Sequence, residues 1–295
     1  MKFRPLTLAV AWRYFSSPKT HGAVSAISIV AVVGVAIATA AIIIVLSVFN
    51  GFREQLNLRL DTLSSDVSVS PALGKTILNV DSVIKEIESI DKIDFVMPMV
   101  ADNALAIAES KEMPVYLIGV IPELFSKITA IDSLIIEGEP FRDFSNKDAS
   151  VAVGVAQRLG IYTTGLDLLL FAPKRTGRIN TANPFSSFLT DSLYVTSVFR
   201  ALQSEYDENS VICDIEVARS LFQYDDEATS IEIKGKPGIN PTQLASEISM
   251  KLGSGYIVKD RLRQQEVNSR MVAIEKWISF LFLAFIVLIA SFNII

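Results

Sequence analysis

The chain has almost no cysteine or histidine, with one of each in 295 residues. Cys213 therefore cannot form an internal disulfide, and its plain reading is a small buried hydrophobe. One His and one Cys supply no mixed ligand cluster for zinc. Several catalytic motifs are missing too. No G-x-x-x-x-G-K-[ST] loop is present, which excludes a P-loop nucleotide site. Neither a G-x-S-x-G elbow nor an H-E-x-x-H pair occurs, which removes two common hydrolase readings. We expect no catalytic residue, no metal site and no cofactor. Charge is also missing, from two long stretches. Residues 22–49 make 28 positions and residues 277–295 make 19, and neither stretch holds Asp, Glu, Lys or Arg.

A bilayer core about 30 Å thick needs roughly 20 apolar helical residues. Both stretches meet that length. The expectation is a transmembrane helix at 22–49, a large domain at 50–276 and a second transmembrane helix at 277–295. The first 21 residues, a cytoplasmic or interfacial segment, carry Lys2, Arg4, Arg13 and Lys19 and no acid. Positive flanks stay cytoplasmic, so the domain is expected on the far side of the membrane. His21 then lies at the cytoplasmic mouth of the first span, across the bilayer from Cys213, and the two cannot form a nucleophile pair. The remaining 23 bases and all 32 acids fall between residues 53 and 276, a formal balance of −9. That balance gives no reason to expect nucleic acid as a partner. A cleaved signal peptide is the competing reading, with Ala38-Thr39-Ala40 as the small-residue site. Apolar sequence runs on through Ile42-Ile43-Ile44-Val45-Leu46, which a cleaved segment does not need.

Helical periodicity continues past the first span. Phe49, Phe52, Leu56, Leu60 and Leu63 follow 3-4-4-3 spacing, and Val267, Met271, Ile274 and Ile278 follow 4-3-4. Such seams pack against a neighbouring helix. Both membrane helices are thus expected to extend outward as a stalk, the first by roughly 20 Å at about 1.5 Å per residue. In the middle domain, Asp66-Val67-Ser68-Val69-Ser70 alternates as a half-buried strand does. Val80, Val83, Ile84, Ile87 and Ile90 mark a helix. Strands are expected at 95–108, 114–120, 150–153, 166–171, 193–199, 231–233 and 256–258. Helices are expected up to Leu159-Gly160, at 214–222 and around Leu244, Ile248 and Leu252. A polar, Pro- and Gly-punctuated stretch, 172–192, separates two of the strands. The fold class is α+β, in two lobes, because the domain exceeds the usual size of roughly 100–150 residues. Asp225-Asp226-Glu227 reads as a solvated acidic turn. Arg261, Arg263 and Arg270 are placed to meet lipid headgroups or stalk acids.

Two stretches carry a family resemblance. Leu46-Ser47-Val48-Phe49-Asn50-Gly51-Phe52 closes the first span, and Ala290-Ser291-Phe292-Asn293-Ile294-Ile295 lies at the other end. Ala11-Trp12-Arg13-Tyr14-Phe15, Leu117-Ile118-Gly119-Val120 and Val153-Gly154-x-Ala156-x-x-Leu159-Gly160 add to them. Together these motifs resemble the lipoprotein-releasing ABC permeases of the LolC/LolE type, within the MacB/FtsX-like permease superfamily. The resemblance implies a porter-like α+β lobe and a mostly β inserted lobe between the first two of four spans. It also implies an inner-membrane location with a periplasmic domain, and a chain continuing beyond Ile295 through two more spans. The implied partners are a cytoplasmic ABC ATPase, a second permease subunit, lipoprotein cargo and a periplasmic lipoprotein carrier.

The same resemblance implies site residues. Gly177-Arg178-Ile179 is similar to the family's Gly-Arg-Ile in a carrier-binding hairpin hook, so Lys174, Arg175, Thr176, Gly177, Arg178 and Ile179 are the candidate hook. Val45, Val48, Phe49, Phe282, Phe285 and Ile289 are candidates for an apolar lipid cavity. Phe52, Leu56, Leu60, Val267, Met271 and Ile274 are the candidate stalk. The rival functions are a MacB-like exporter subunit, an FtsX-like regulatory permease, a two-span sensor and a secreted binding domain. A sensor needs a cytoplasmic output domain, and these 295 residues hold none.

Overall fold

Val67–Pro71, which takes in most of the polar–apolar alternation at 66–70, forms the first strand of the computed structural model, with Val67 and Val69 fully buried. The structure describes residues 63–264 apart from 142–144, 146, 176–186 and 202, together with separate helical positions in 10–51 and 277–285. The chain divides into two compact units, residues 1–54 with 267–295, and residues 55–266. In the first unit the described positions are helical, at 29–30, 32–37, 39–41, 43–48, 277–278 and 280–281 among others. Many of their apolar side chains stand exposed, including Val30, Ile37, Ile44, Trp277 and Leu281. Among the described residues no helix is long and apolar enough to cross a membrane.

In chain order the second unit holds β1 (Val67–Pro71), α1 (Val80–Glu88), β2 (Ile93–Ala108), β3 (Lys111–Val120) and α2 (Pro122–Ile128). Next come β4 (Ile135–Gly138), β5 (Asp148–Ala152), α3 (Val153–Leu159), β6 (Leu166–Pro173) and β7 (Phe188–Phe199). After them come β8 (Ser210–Asp214), α4 (Ile215–Phe222), β9 (Ser230–Gly235), α5 (Pro241–Leu252) and β10 (Tyr256–Asp260), followed by one helical turn, Arg261–Gln264.

The first lobe is a four-stranded antiparallel sheet in the order β10-β1-β9-β2. Its elements run β1-α1-β2 and then β9-α5-β10, the split βαβ arrangement of ferredoxin-like folds. Both helices feed one core. Val80, Val83 and Ile87 of α1 and Leu244 and Ile248 of α5 meet Val67, Val69, Ile231 and Ile233 of the sheet. The Asn240 side chain caps α5 by accepting the Thr242 N–H at 2.9 Å. The other sheet face carries a buried acid. Glu232 accepts hydroxyl hydrogen bonds from Ser65, Ser68 and Ser230 at 2.5, 2.8 and 2.7 Å. Those donors offset the cost of taking a carboxylate out of water.

The second lobe is inserted between β2 and β9. Halfway along β2 the pairing changes. Ile93–Met99 lies against β9, and Val100–Ala108 lies against β3. From there the strands close on themselves, β2 to β3, β8, β5, β7, β6 and back to β2, with β4 added beside β7. The β3–β8 and β5–β7 pairs are parallel, and the other pairs in this ring are antiparallel. Leu168, Leu170, Leu193, Val195 and Phe199 are among its fully buried side chains. Helix α4 packs on β3 at Gly119, where a Cβ would collide with the Cβ of Ala218 and crowd Ile215. The Asp214 carboxylate caps α4 by accepting the Glu216 N–H at 2.8 Å. Burial pushes the Asp214 carboxyl above its ordinary value, and the Glu216 N–H pulls the other way.

Three elements lack a signal in the sequence reading: α2, β4 and β8. Strand β8 has four consecutive buried residues, Ser210–Cys213, so it shows no alternation. Cys213 is among them, fully buried. Strand β7 also starts earlier than its apolar run. Phe188–Ser192 joins the ladder because β6 continues to Pro173 opposite it, whatever its polarity.

Candidate functional site

The stretch that carries the candidate hook is the connection between β6 and β7. Inward-facing Leu168, Leu170 and Ala172 alternate with outward-facing Asp167, Leu169 and Phe171, as a strand with one buried face requires. Eight residue pairs run from Leu166↔Val195 to Pro173↔Phe188. One more bond, Lys174 N–H to the Ser187 carbonyl at 2.9 Å, extends the ladder. The last paired residues, Pro173 and Phe188, are both exposed, so the hairpin runs past the core that supports it.

Lys174 and Arg175 stand at the base of this hairpin. Thr176, Gly177, Arg178 and Ile179 lie outside the described residues. Lys174 is exposed. Arg175 is held from three directions. Its N–H donates to the Gln223 side-chain oxygen at 2.9 Å. Its guanidinium pairs with the Glu227 carboxylate at 2.6 Å and sits 5.0 Å from the centre of the Tyr224 ring. The bond to Glu227 holds the guanidinium pKa above its ordinary value. Cation–π contact and a charge-assisted hydrogen bond act together at this point.

The partners of Arg175 come from the end of α4. Gln223 has a left-handed backbone, φ 57°, in the position where glycine commonly ends a helix. That turn sends the chain back toward the hairpin. Tyr224 is buried, tilted against Phe222 at 6.0 Å, and its hydroxyl donates to Asp102 of β2 at 3.2 Å. Burial, then the Asp102 charge, pushes the Tyr224 phenol up to about 12. Asp102 also receives Lys75 at 3.1 Å.

Sequence reading placed Asp225-Asp226-Glu227 in a solvated turn. Asp225 and Asp226 are exposed, but Glu227 is half-buried and holds Arg175. No sequence signal identifies Gln223, Tyr224 or Asp102 as partners of the hairpin, since their meeting depends on tertiary closure. Among the described residues no group of three or more His, Cys, Asp or Glu is placed to hold a metal ion. Arg261 pairs with Asp66 at 2.5 Å. Of the cavity candidates, Val45 is half-buried while Val48 and Phe285 are exposed, and Phe49, Phe282 and Ile289 lie outside the described residues. So do all six stalk candidates, Phe52, Leu56, Leu60, Val267, Met271 and Ile274.

A family model described as the MacB-like periplasmic core domain matches residues 28–250. The chain belongs to that family. Both halves of the hairpin and the whole α4–β9 connection fall inside the matched range of this MacB-like domain. Among curated relatives, the lipoprotein-releasing system transmembrane protein LolC of Xylella fastidiosa is 21% identical over 295 residues, covering 99% of this chain and 69% of its own. LolC of Neisseria meningitidis serogroup B is 25% identical over 294 residues, covering 97% and 68%. LolE of Haemophilus influenzae is 24% identical over 230 residues, covering 76% and 54%. Among solved structures, the periplasmic region of MacB from Actinobacillus actinomycetemcomitans superposes with a TM-score of 0.48 at 11% identity, covering 72% of this chain and 96% of its own. The extracellular domain of the ABC-type transporter YknZ from Gram-positive bacteria gives 0.43 at 10% identity, covering 66% and 99%.

Proposed function

We propose that the chain is a permease subunit of an ABC-type lipoprotein-releasing complex. It sits in the inner membrane with its N-terminus cytoplasmic and its MacB-like domain periplasmic. The observation that carries this reading is the likeness to LolC proteins across nearly the whole chain, apolar ends included. The exposed apolar side chains on the helical positions of the terminal unit support it, because lipid-facing helices have that character.

In this reading the subunit hydrolyses nothing itself. A cytoplasmic ABC ATPase supplies the energy, and a second permease subunit, identical or a paralogue, completes the membrane part. Acyl chains of the lipoprotein cargo enter the apolar cavity of Val45, Val48, Phe49, Phe282, Phe285 and Ile289. The stalk, with Phe52, Leu56 and Leu60 on one side and Val267, Met271 and Ile274 on the other, transmits closure to the periplasmic lobes. The hairpin tip, with Gly177, Arg178 and Ile179, takes a periplasmic carrier. Arg178 and Lys174 give that contact an electrostatic part, with a salt-dependent on-rate.

The test replaces residues 176–179 of the 295-residue chain by a Gly-Ser turn and leaves Arg175 in place. Retention of a cognate carrier by the detergent-purified protein is then measured. The expected result is normal membrane insertion and lost retention. Equal retention by both versions removes the hook. Cysteines introduced at Ser186 and Ser17 test the orientation. Labelling of the first and not the second in intact cells is expected, and the reverse pattern inverts the topology.

A further inference from the structure

The segment from Gln223 to Thr229 touches the hairpin at one end and the lobe boundary at the other. At the hairpin end, Gln223, Tyr224 and Glu227 hold Arg175. At the other end, the Thr229 N–H donates to the Met99 carbonyl at 2.8 Å, and Ala101 N–H donates to the Thr229 hydroxyl at 2.8 Å. Met99 and Ala101 flank the point where β2 changes partner, from Ser230 of β9 to Gly119 of β3. Between the ends, Ala228 bridges Ile77, the residue two before the Asn79 cap of α1. Tyr224 adds a cross-tie to β2 through Asp102.

The contact between hairpin and segment is specific in kind. A side-chain amide takes the Arg175 N–H, an aromatic face takes the planar cation, and a carboxylate takes the same guanidinium. Lysine could not satisfy these partners in the same way, because the flat fork of arginine matches both a ring and a carboxylate. The chain returns toward the hairpin through a left-handed turn at Gln223.

We propose that Arg175 is a positioning residue, and that residues 223–229 form a latch coupling the direction of the β6–β7 hairpin to the lobe boundary at Met99–Ala101. A change in the angle between the lobes then redirects the hairpin, and anything that pulls on the hairpin is felt at the boundary. The coupling itself does not depend on what the hairpin binds. Its consequence for a carrier rests on the function proposed above.

Hydrogen exchange of the 295-residue chain in detergent tests the latch at four amides. Lys174 and Arg175 report the hairpin base, and Ala101 and Thr229 report the boundary. Glu227→Gln removes the ion pair and keeps the shape. The latch predicts faster exchange at both pairs of amides, fivefold or more at the remote pair, in line with typical coupling energies. Thr229→Val should speed exchange at Arg175 by a similar factor, because coupling is reciprocal. Tyr224→Phe is the milder second variant should either of these fail to fold. The exchanged pair R175E with E227R should restore protection only in part, because the carboxylate at 175 loses the Tyr224 ring. If Glu227→Gln affects only Lys174 and Arg175, the ion pair is local and the latch is overturned. Carrier crosslinking at the hairpin tip keeps the two readings apart. Coupled exchange with no crosslink leaves the latch standing and removes the carrier role.

Discussion

In the first lobe, four antiparallel strands send apolar side chains to one face, and two helices cover that face. In the second lobe, six strands close into a ring and include two parallel pairs, β3–β8 and β5–β7. The first arrangement leaves period-two and period-3.6 patterns in the sequence, since one side of each element stays polar. In the second, β5 and β8 are buried on both faces and leave no alternation in the sequence, while β6 still alternates. The hairpin strand β6 keeps a local pattern, whereas the hold on Arg175 by Gln223, Tyr224 and Glu227 does not.

Core truncation should separate the lobes most sharply. Phe199 of β7 is fully buried in the second lobe. Phe199→Ala should cost about 3–5 kcal/mol. Hydrogen exchange should then rise in β3, β5 and β8 and stay slow in α1 and α5. A uniform rise would mean that the lobes unfold as one body.

Two glycines make a second contrast. At Gly119 a Cβ collides with the Ala218 Cβ and crowds the backbone of Ile215, whereas at Gly235 its one tight contact is the flexible end of Leu244 at 3.1 Å. Gly119→Ala should therefore cost about 1–3 kcal/mol as an overpacked helix–strand contact, and Gly235→Ala should cost less. Denaturant midpoints of the two variants check the order. A larger loss at Gly235 would contradict the packing argument.

Helix caps should show the lobes behaving alike. Asp214→Ala and Asn240→Ala each remove one side-chain cap and should each cost about 1 kcal/mol. A large inequality between them would mean that the Asp214 carboxylate does more than cap α4.

The smallest effect concerns Cys213. Its thiol is fully buried and burial holds its pKa well above the ordinary value. Maleimide labelling of the native chain should be negligible, because the thiolate is the reactive form. Labelling should quicken in Phe199→Ala and not in Asn240→Ala. Prompt labelling of the native chain would contradict the closed ring.

Much of the fold was legible. The alternation at 66–70, the helix marked by Val80, Val83 and Ile87, and the strand pair around Glu109 all appear at the expected places. The helix expected up to Leu159-Gly160 ends at the left-handed Gly160, and the one expected at 214–222 starts after Asp214, its cap. Strand β8 was not legible, because Val211, Ile212 and Cys213 are buried without alternation. The site was legible in part. Pro and Gly punctuation located the hairpin, since turn residues have a local mechanism. The hold on Arg175 was not, because Gln223, Tyr224 and Glu227 reach it only after α4 has docked on Gly119. Acidity alone made Glu227 look like its neighbours Asp225 and Asp226. Burial against the hairpin is what distinguishes it.

Site-specific photocrosslinking in cells tests the central claim most directly. A photoreactive residue is placed at Ile179, between β6 and β7 in the sequence, and at Met250, an exposed residue of the first lobe. The account predicts an adduct with a periplasmic lipoprotein carrier from Ile179 and none from Met250. Equal adducts at both positions, or a carrier adduct from Met250 alone, would contradict it.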